Sequence, residues 1–323
     1  MSPESVAPST TRQTAARTVV QVVASVTVLG LLFRDLDPAQ FQGLLAQGSW
    51  LLLALALLTK TAGLLLHECR LWLALPPPRP PLQKVISVGL AAGVLNLVLP
   101  ARAGDIAVIA FLKRECGISP ATGTMAVGIT SILEAALFAL YLLAAVLLGA
   151  HHMTGLLGED VALWLVLFLV ASIAGGIGII LLGRRLDPQA PHSGLLGFVR
   201  RTIAETSHGL SDVRYVGLQT VSAALQVVLV VVAFTLAMPA AGIHLEHPEL
   251  AASLILGASS ILAVVLPPVF AAGPAAAAAV VLPVFGVPID QVAACAAAYA
   301  SAYWLVAHIP AGTLGLPALL RRR

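Results

Sequence analysis

Charge is what this 323-residue chain has least of: only 10% of its residues are charged, against 59% hydrophobic. So little charge excludes an ordinary soluble domain and puts the chain in a bilayer. Lysine is rarest, with Lys60, Lys84 and Lys113 set against fifteen arginines, and the net charge is only +3. That balance offers no basic surface for nucleic acid, and no such partner is expected. The three cysteines, Cys69, Cys116 and Cys295, have no paired spacing, which excludes a disulfide framework and a zinc pattern. No Gly-x-Ser-x-Gly elbow, Walker loop or dinucleotide fingerprint is present, so neither an enzyme nor a cofactor is expected. Metal is not expected either. His244-Leu245-Glu246-His247 lacks two histidines one helical turn apart, and His151-His152 is no better.

What the chain has is apolar runs. About 20 apolar residues cross about 30 Å of hydrocarbon as a helix. Full spans are expected at 18–33, 48–69, 121–149, 161–182, 216–238 and 290–313. The first follows Arg12 and Arg17, and Arg34-Asp35 stands where a signal peptide would have its cleavage site, so it reads as an uncleaved span. The runs 85–99, 105–116, 250–266 and 274–285 are shorter. They reach only about 18–25 Å, so each adjacent pair is expected to form a re-entrant hairpin; four full spans, which charge alone does not exclude, are the alternative. The expected fold is an all-α integral membrane protein with six transmembrane helices and two re-entrant hairpins.

The hairpins repeat. The first tip is Leu99-Pro100-Ala101-Arg102-Ala103-Gly104-Asp105, and the second runs from Leu266-Pro267 through Ala271-Ala272-Gly273-Pro274. Gly104 and Gly273 are as far apart in the chain as Gly117 and Gly286, which sit in the turns that follow. Interrupted hydrophobic segments in corresponding places of two halves point to an inverted repeat with a transporter-like site between them. The expected order is a tail over 1–17, a first repeat over 18–150 (hairpin near 85–116), a second over 161–313 (hairpin near 250–285), and a basic tail over 314–323. The stretch 183–215 reads as a basic cytoplasmic loop. Its Leu195, Leu196, Val199 and Ile203 suggest a short amphipathic helix whose arginine pairs either meet lipid headgroups or serve only as a topology signal.

The positive-inside rule places both termini in the cytoplasm. The inner segments then hold Arg70, Arg79, Arg184, Arg185, Arg200, Arg201 and most other basic residues, and the outer segments hold Arg34 alone. Charge and polarity at membrane depth mark candidate site residues. Arg102 offers a phosphate-binding fork at the first tip, with Asp105 either capping the next helix or pairing with Arg102. Asn96 is suited to hydrogen-bond either the broken backbone near Pro100, the favoured role, or a substrate headgroup. Glu134 lies deep in its span, one turn beyond Thr130 and Ser131, and Lys60 is its natural ionic partner. His67-Glu68 reads as a snorkelling span end. Near the uncharged second tip, Tyr299 and Tyr303 share a helix face with His308 beyond them, and packing is their default role.

Asn96-x-x-Leu99-Pro100-Ala101-Arg102-Ala103-Gly104-Asp105 followed by Gly117-Ile118-Ser119 resembles the signature of the lysylphosphatidylglycerol synthase transmembrane-region, or flippase-like, family. Leu266-Pro267, Gly273, Gly286-Val287 and the ending His308-Ile309-Pro310-Ala311-Gly312 extend the resemblance over nearly the whole chain. Two places depart from the family pattern. Thr130-Ser131 stand where the family has Glu-Arg, with Glu134 for a following Asp, and the second hairpin is alanine-rich. The resemblance implies a bacterial inner-membrane protein that moves a polar-headed phospho- or glycolipid between leaflets. The chain runs out at Arg321-Arg322-Arg323, so no synthase activity is expected. A scaffold for a lipid-modifying enzyme and a small-solute permease are the alternatives.

Overall fold

The structure, a computed structural model, describes residues 9–34, 36–98, 103–149, 159–186, 194–262, 266 and 271–320. Those residues form helices and no strand. In chain order they are α1 (Ser9–Leu32), α2 (Pro38–Gln47), α3 (Trp50–Ala74), α4 (Leu82–Val98), α5 (Ala103–Cys116), α6 (Pro120–Gly149), α7 (Glu159–Gly183), α8 (Gly194–Ser211), α9 (Val213–Ala240), α10 (Pro248–Leu262), α11 (Ala272–Val281) and α12 (Val292–Leu320). Short 3₁₀ turns at Leu282–Phe285 and Ile289–Gln291 join the last two. By length and composition, four segments can cross a membrane: Trp50–Ala74, Pro120–Ala144, Val213–Ala240 and Ile289–Leu320.

Local chemistry fixes the helix ends. Ser49 accepts from the Leu52 amide to start α3, and Asp212 accepts from the Arg214 and Tyr215 amides to start α9. Gly117 and Gly286, with φ of +67° and +85°, make the turns into α6 and into the approach to α12. That left-handed backbone needs glycine, which is why both positions carry it.

The repeat is visible in the elements. α5 and α11 begin at Ala103 and Ala272, and α6 and the last 3₁₀ turn begin at Pro120 and Ile289. Both pairs keep the interval that separates Gly104 from Gly273. α4 folds back on α5, and α10 on α11. The counterparts α3 and α9 pack on each other most extensively. They run antiparallel, because Lys60 meets Phe234, Gly63 meets Leu229 and Val230, and Arg70 meets Gln226.

Three elements differ from the sequence expectation. The first helix begins at Ser9, earlier than residue 18. α2, unforeseen, is clasped to the end of α9: a Cβ on Gly242 would overlap the Leu44 carbonyl, and one on Gly48 that of Ala240. The amphipathic helix expected within 183–215 is observed as α8, but at 18 residues it is longer than expected and it packs on other helices. Its Ser207 donates to the Ile180 carbonyl at 3.0 Å, and its Gly209 meets Ile129, so it docks on α7 and α6. Leu196 and Val199 stay exposed on its other side.

Candidate functional site

A buried polar network joins α3, α6 and α9. The side chain of Arg70 is fully buried. It donates to the Gln226 amide oxygen, to the Thr130 carbonyl at 3.0 Å and to Glu134 at 3.5 Å. From the α9 side, Gln219 donates to the Arg70 carbonyl at 2.9 Å. His67 Nδ1 lies 3.2 Å from Glu134 Oε2 and 3.3 Å from Gln226 Nε2. Nδ1 carrying a proton donates to the carboxylate; bare, it accepts from the amide. His67 therefore has a partner in either protonation state.

This arrangement corrects two sequence expectations. The ionic partners of Glu134 are His67 and Arg70, not Lys60. Glu134 lies on the α6 face that meets the far end of α3, two turns beyond Lys60. Lys60 instead places its ammonium 5.5 Å from the centre of the Phe234 ring. The His67-Glu68 pair is no snorkelling end either. His67 belongs to the network, and Glu68 is only 3% exposed, facing α4 where Gly89 leaves room for its carboxyl. Arg70, assigned by charge to an inner segment, is interior for the same reason: α3 continues to Ala74, so residues 67–70 are still inside the bundle.

At the first hairpin, Asn96 ties the tip together. Its oxygen accepts from the Gly104 amide at 2.6 Å, and its nitrogen donates to Asp105 at 3.1 Å. The backbone role expected of Asn96 is therefore observed. Gly104 is required there, because a Cβ would overlap the Ala92 carbonyl and the Asn96 side chain. Arg102, Pro100 and Pro267 lie outside the described residues, as does His151-His152.

On the second half, Gly273 and Pro274 are buried in the first turn of α11. Tyr299 is buried and donates to the Phe234 carbonyl at 3.3 Å, and Tyr303 stacks on Phe234 with ring centres 4.2 Å apart. By the interval of the repeat, Tyr303 is the counterpart of Glu134, at the equivalent place on the equivalent helix. His308 stacks on Trp304 and bonds its carbonyl. An apolar cleft of about 420 Å³ opens between α1 and α12 beside Ala271, lined by Leu29, Phe33, Ser301 and Trp304. No cluster of three metal-ligating side chains occurs among the described residues.

The polar network was only partly foreseeable. Glu134 and Lys60 stand out as charges in apolar runs, but Arg70 and Gln226 gain their meaning only from the α3–α9 seam. An i,i+3 reading of His67 and Arg70 on one helix face was the available signal.

No curated protein matches the chain. A family model described as the lysylphosphatidylglycerol synthase TM region matches residues 18–311. With helices of membrane-crossing length, that match makes the chain a membrane protein with multiple transmembrane helices.

Proposed function

Because the chain belongs to the lysylphosphatidylglycerol synthase TM-region family, we propose that it is a flippase-like transporter. It moves a polar-headed phospho- or glycolipid between the leaflets of a bacterial cytoplasmic membrane. The observation that carries this reading is the buried polar network in the seam between the two halves. Ionisable groups are expensive at membrane depth and mark pathways there. A seam between repeat units is where a transported headgroup is handled.

In this reading the short helix pairs α4–α5 and α10–α11 are re-entrant hairpins beside six spans, and both termini face the cytoplasm. The antiparallel course of α3 and its counterpart α9 supports an inverted repeat. Arg102 engages the headgroup phosphate at the first tip, where Asn96 and Asp105 set the start of α5. Lys60 and Glu134 line the polar path. The acyl chains stay in lipid, with the cleft between α1 and α12 as a lateral seat, since withdrawing each CH₂ costs about 0.8 kcal/mol.

The test is leaflet-resolved movement of headgroup-labelled phospholipids and glycolipids in proteoliposomes, comparing wild type with Arg102→Ala. Protein-dependent movement that the substitution abolishes is expected. Equal movement in both removes Arg102 from the mechanism. No movement with either favours a scaffold for a lipid-modifying enzyme.

A further inference from the structure

Glu68 is not part of the polar network, yet it is buried. Its Oε2 has no hydrogen-bond partner, and it forms no ion pair among the described residues. The helix opposite is cut away for it: a Cβ on Gly89 would overlap the carboxyl. The repeat provides a comparison within the same molecule. Its interval carries Glu68 and Gly89 onto Ala237 and Ala258, on α9 and α10, which share one apolar cluster. The second half thus makes the corresponding seam from two alanines. Packing does not require a carboxyl at this place, and an unpaired carboxylate is a costly thing to bury.

We propose that Glu68 is the seat of an exchangeable proton that couples this protein's lipid movement to the transmembrane proton gradient. The proposal rests on the lipid-transport reading above. Protonated, Glu68 is neutral and fits its dry seat against α4. On release the O–H bond breaks, the proton leaves for the neighbouring His67 or for water, and a bare carboxylate remains against Gly89. That charge weakens the seating of α4 on α3. Since α4 carries Asn96, which pins the first tip, proton release loosens the hairpin that handles the headgroup.

The surroundings suit the role. On α3 the titratable neighbours are His67, Cys69 and Arg70, and Arg70 is committed to Glu134, Gln226 and Thr130. From α6 the facing group is Glu134, reached through His67. From α9, Gln219 and Gln226 are taken up by Arg70 and His67. From α4 comes only Gly89. On α12, which packs on both α3 and α4, Gly315 sits against Leu90, and the titratable His308 is bonded to Trp304.

The test uses the full chain in vesicles of phosphatidylethanolamine and phosphatidylglycerol, with two variants. Glu68→Gln mimics the protonated form. Glu68→Ala with Gly89→Ala copies the seam of the second half and controls for folding. Infrared difference spectra are expected to show a titrating carboxyl C=O band in wild type that both variants lack. With one proton per lipid, an imposed difference of one pH unit shifts the leaflet ratio of a labelled lipid about tenfold. Both variants should leave that ratio near unity. A band that survives in Glu68→Gln overturns the proton site. A wild-type leaflet ratio that ignores the imposed pH difference overturns the coupling. A wild type that moves no lipid but keeps the band overturns the transport reading and leaves the proton site standing.

Discussion

Arg70 and Glu134 are 64 residues apart in the chain and 3.5 Å apart in the bundle, with the arginine side chain wholly buried and the glutamate 34% exposed. The guanidinium is the hub, because its fork serves three acceptors on two helices at once. Arg70→Met should destabilise the protein by about 1–3 kcal/mol, since it takes the buried donor from the Gln226 oxygen and the Thr130 carbonyl while Glu134 keeps His67. Thermal unfolding in detergent measures it. Arg70→Lys keeps the charge without the fork and should recover only part of the loss. Pairing Arg70→Met with Glu134→Gln should cost less than the two changes summed.

Lys60 and Glu134 should prove only weakly coupled, since their charges attract without forming an ion pair. Their double-mutant cycle should give no more than about 1 kcal/mol. The His67–Glu134 cycle should show a larger coupling. Lys60→Met should lower thermal stability by no more than about 1 kcal/mol, the scale of a cation–π contact with Phe234. In the transport reading the same substitution slows lipid movement, so the two measurements separate path from scaffold.

Asn96→Ala should cost about 1–3 kcal/mol, because it removes the acceptor of a half-buried amide and the donor to Asp105. Hydrogen exchange should rise at Gly104, while α6 and α9 keep their protection. An unchanged exchange rate at Gly104 would show that the tip does not depend on this staple.

Ala271, which starts α11, has φ of +51° and is the non-glycine residue in the left-handed region among those described. That backbone costs an L-residue about 1–2 kcal/mol, and glycine adopts it freely. Ala271→Gly should therefore raise the melting temperature or leave it unchanged. A clear fall would mean that the methyl group packs against the cleft more tightly than its position implies.

Much of the fold was legible because apolar run length and Pro/Gly interruptions act locally. α4 ends at Val98 and α5 begins at Ala103, and α10 ends at Leu262 and α11 begins at Ala272, within a few residues of the predicted bounds. The constant spacing of Gly104 to Gly273 and of Gly117 to Gly286 located the duplicate before any helix was drawn. α2 was not legible: Phe41-Gln42-Gly43-Leu44 is too short to carry a period, and its place depends on the close approach of Gly242 to the Leu44 carbonyl. The site was legible one residue at a time but not as pairs. Sign alone pairs Lys60 with Glu134, whereas the packing of α6 against the far end of α3 sets which charges meet. The apolar run ends before Glu68 while α3 continues to Ala74, so run length alone puts at a span end a residue that the bundle buries.

The α3–α9 seam is not symmetric. Two identical half-chains meeting antiparallel through α3 would form a self-complementary interface, in which every contact occurs twice. The position equivalent to Gln226 is Leu57, so in such a pair each Arg70 would face a leucine of the other copy. Two guanidiniums would then be buried without an acceptor across the seam. Within this chain that constraint is absent: Pro239 stands at the position equivalent to Arg70, and Gln226 faces the one arginine. The hub is thus asymmetric across the α3–α9 seam.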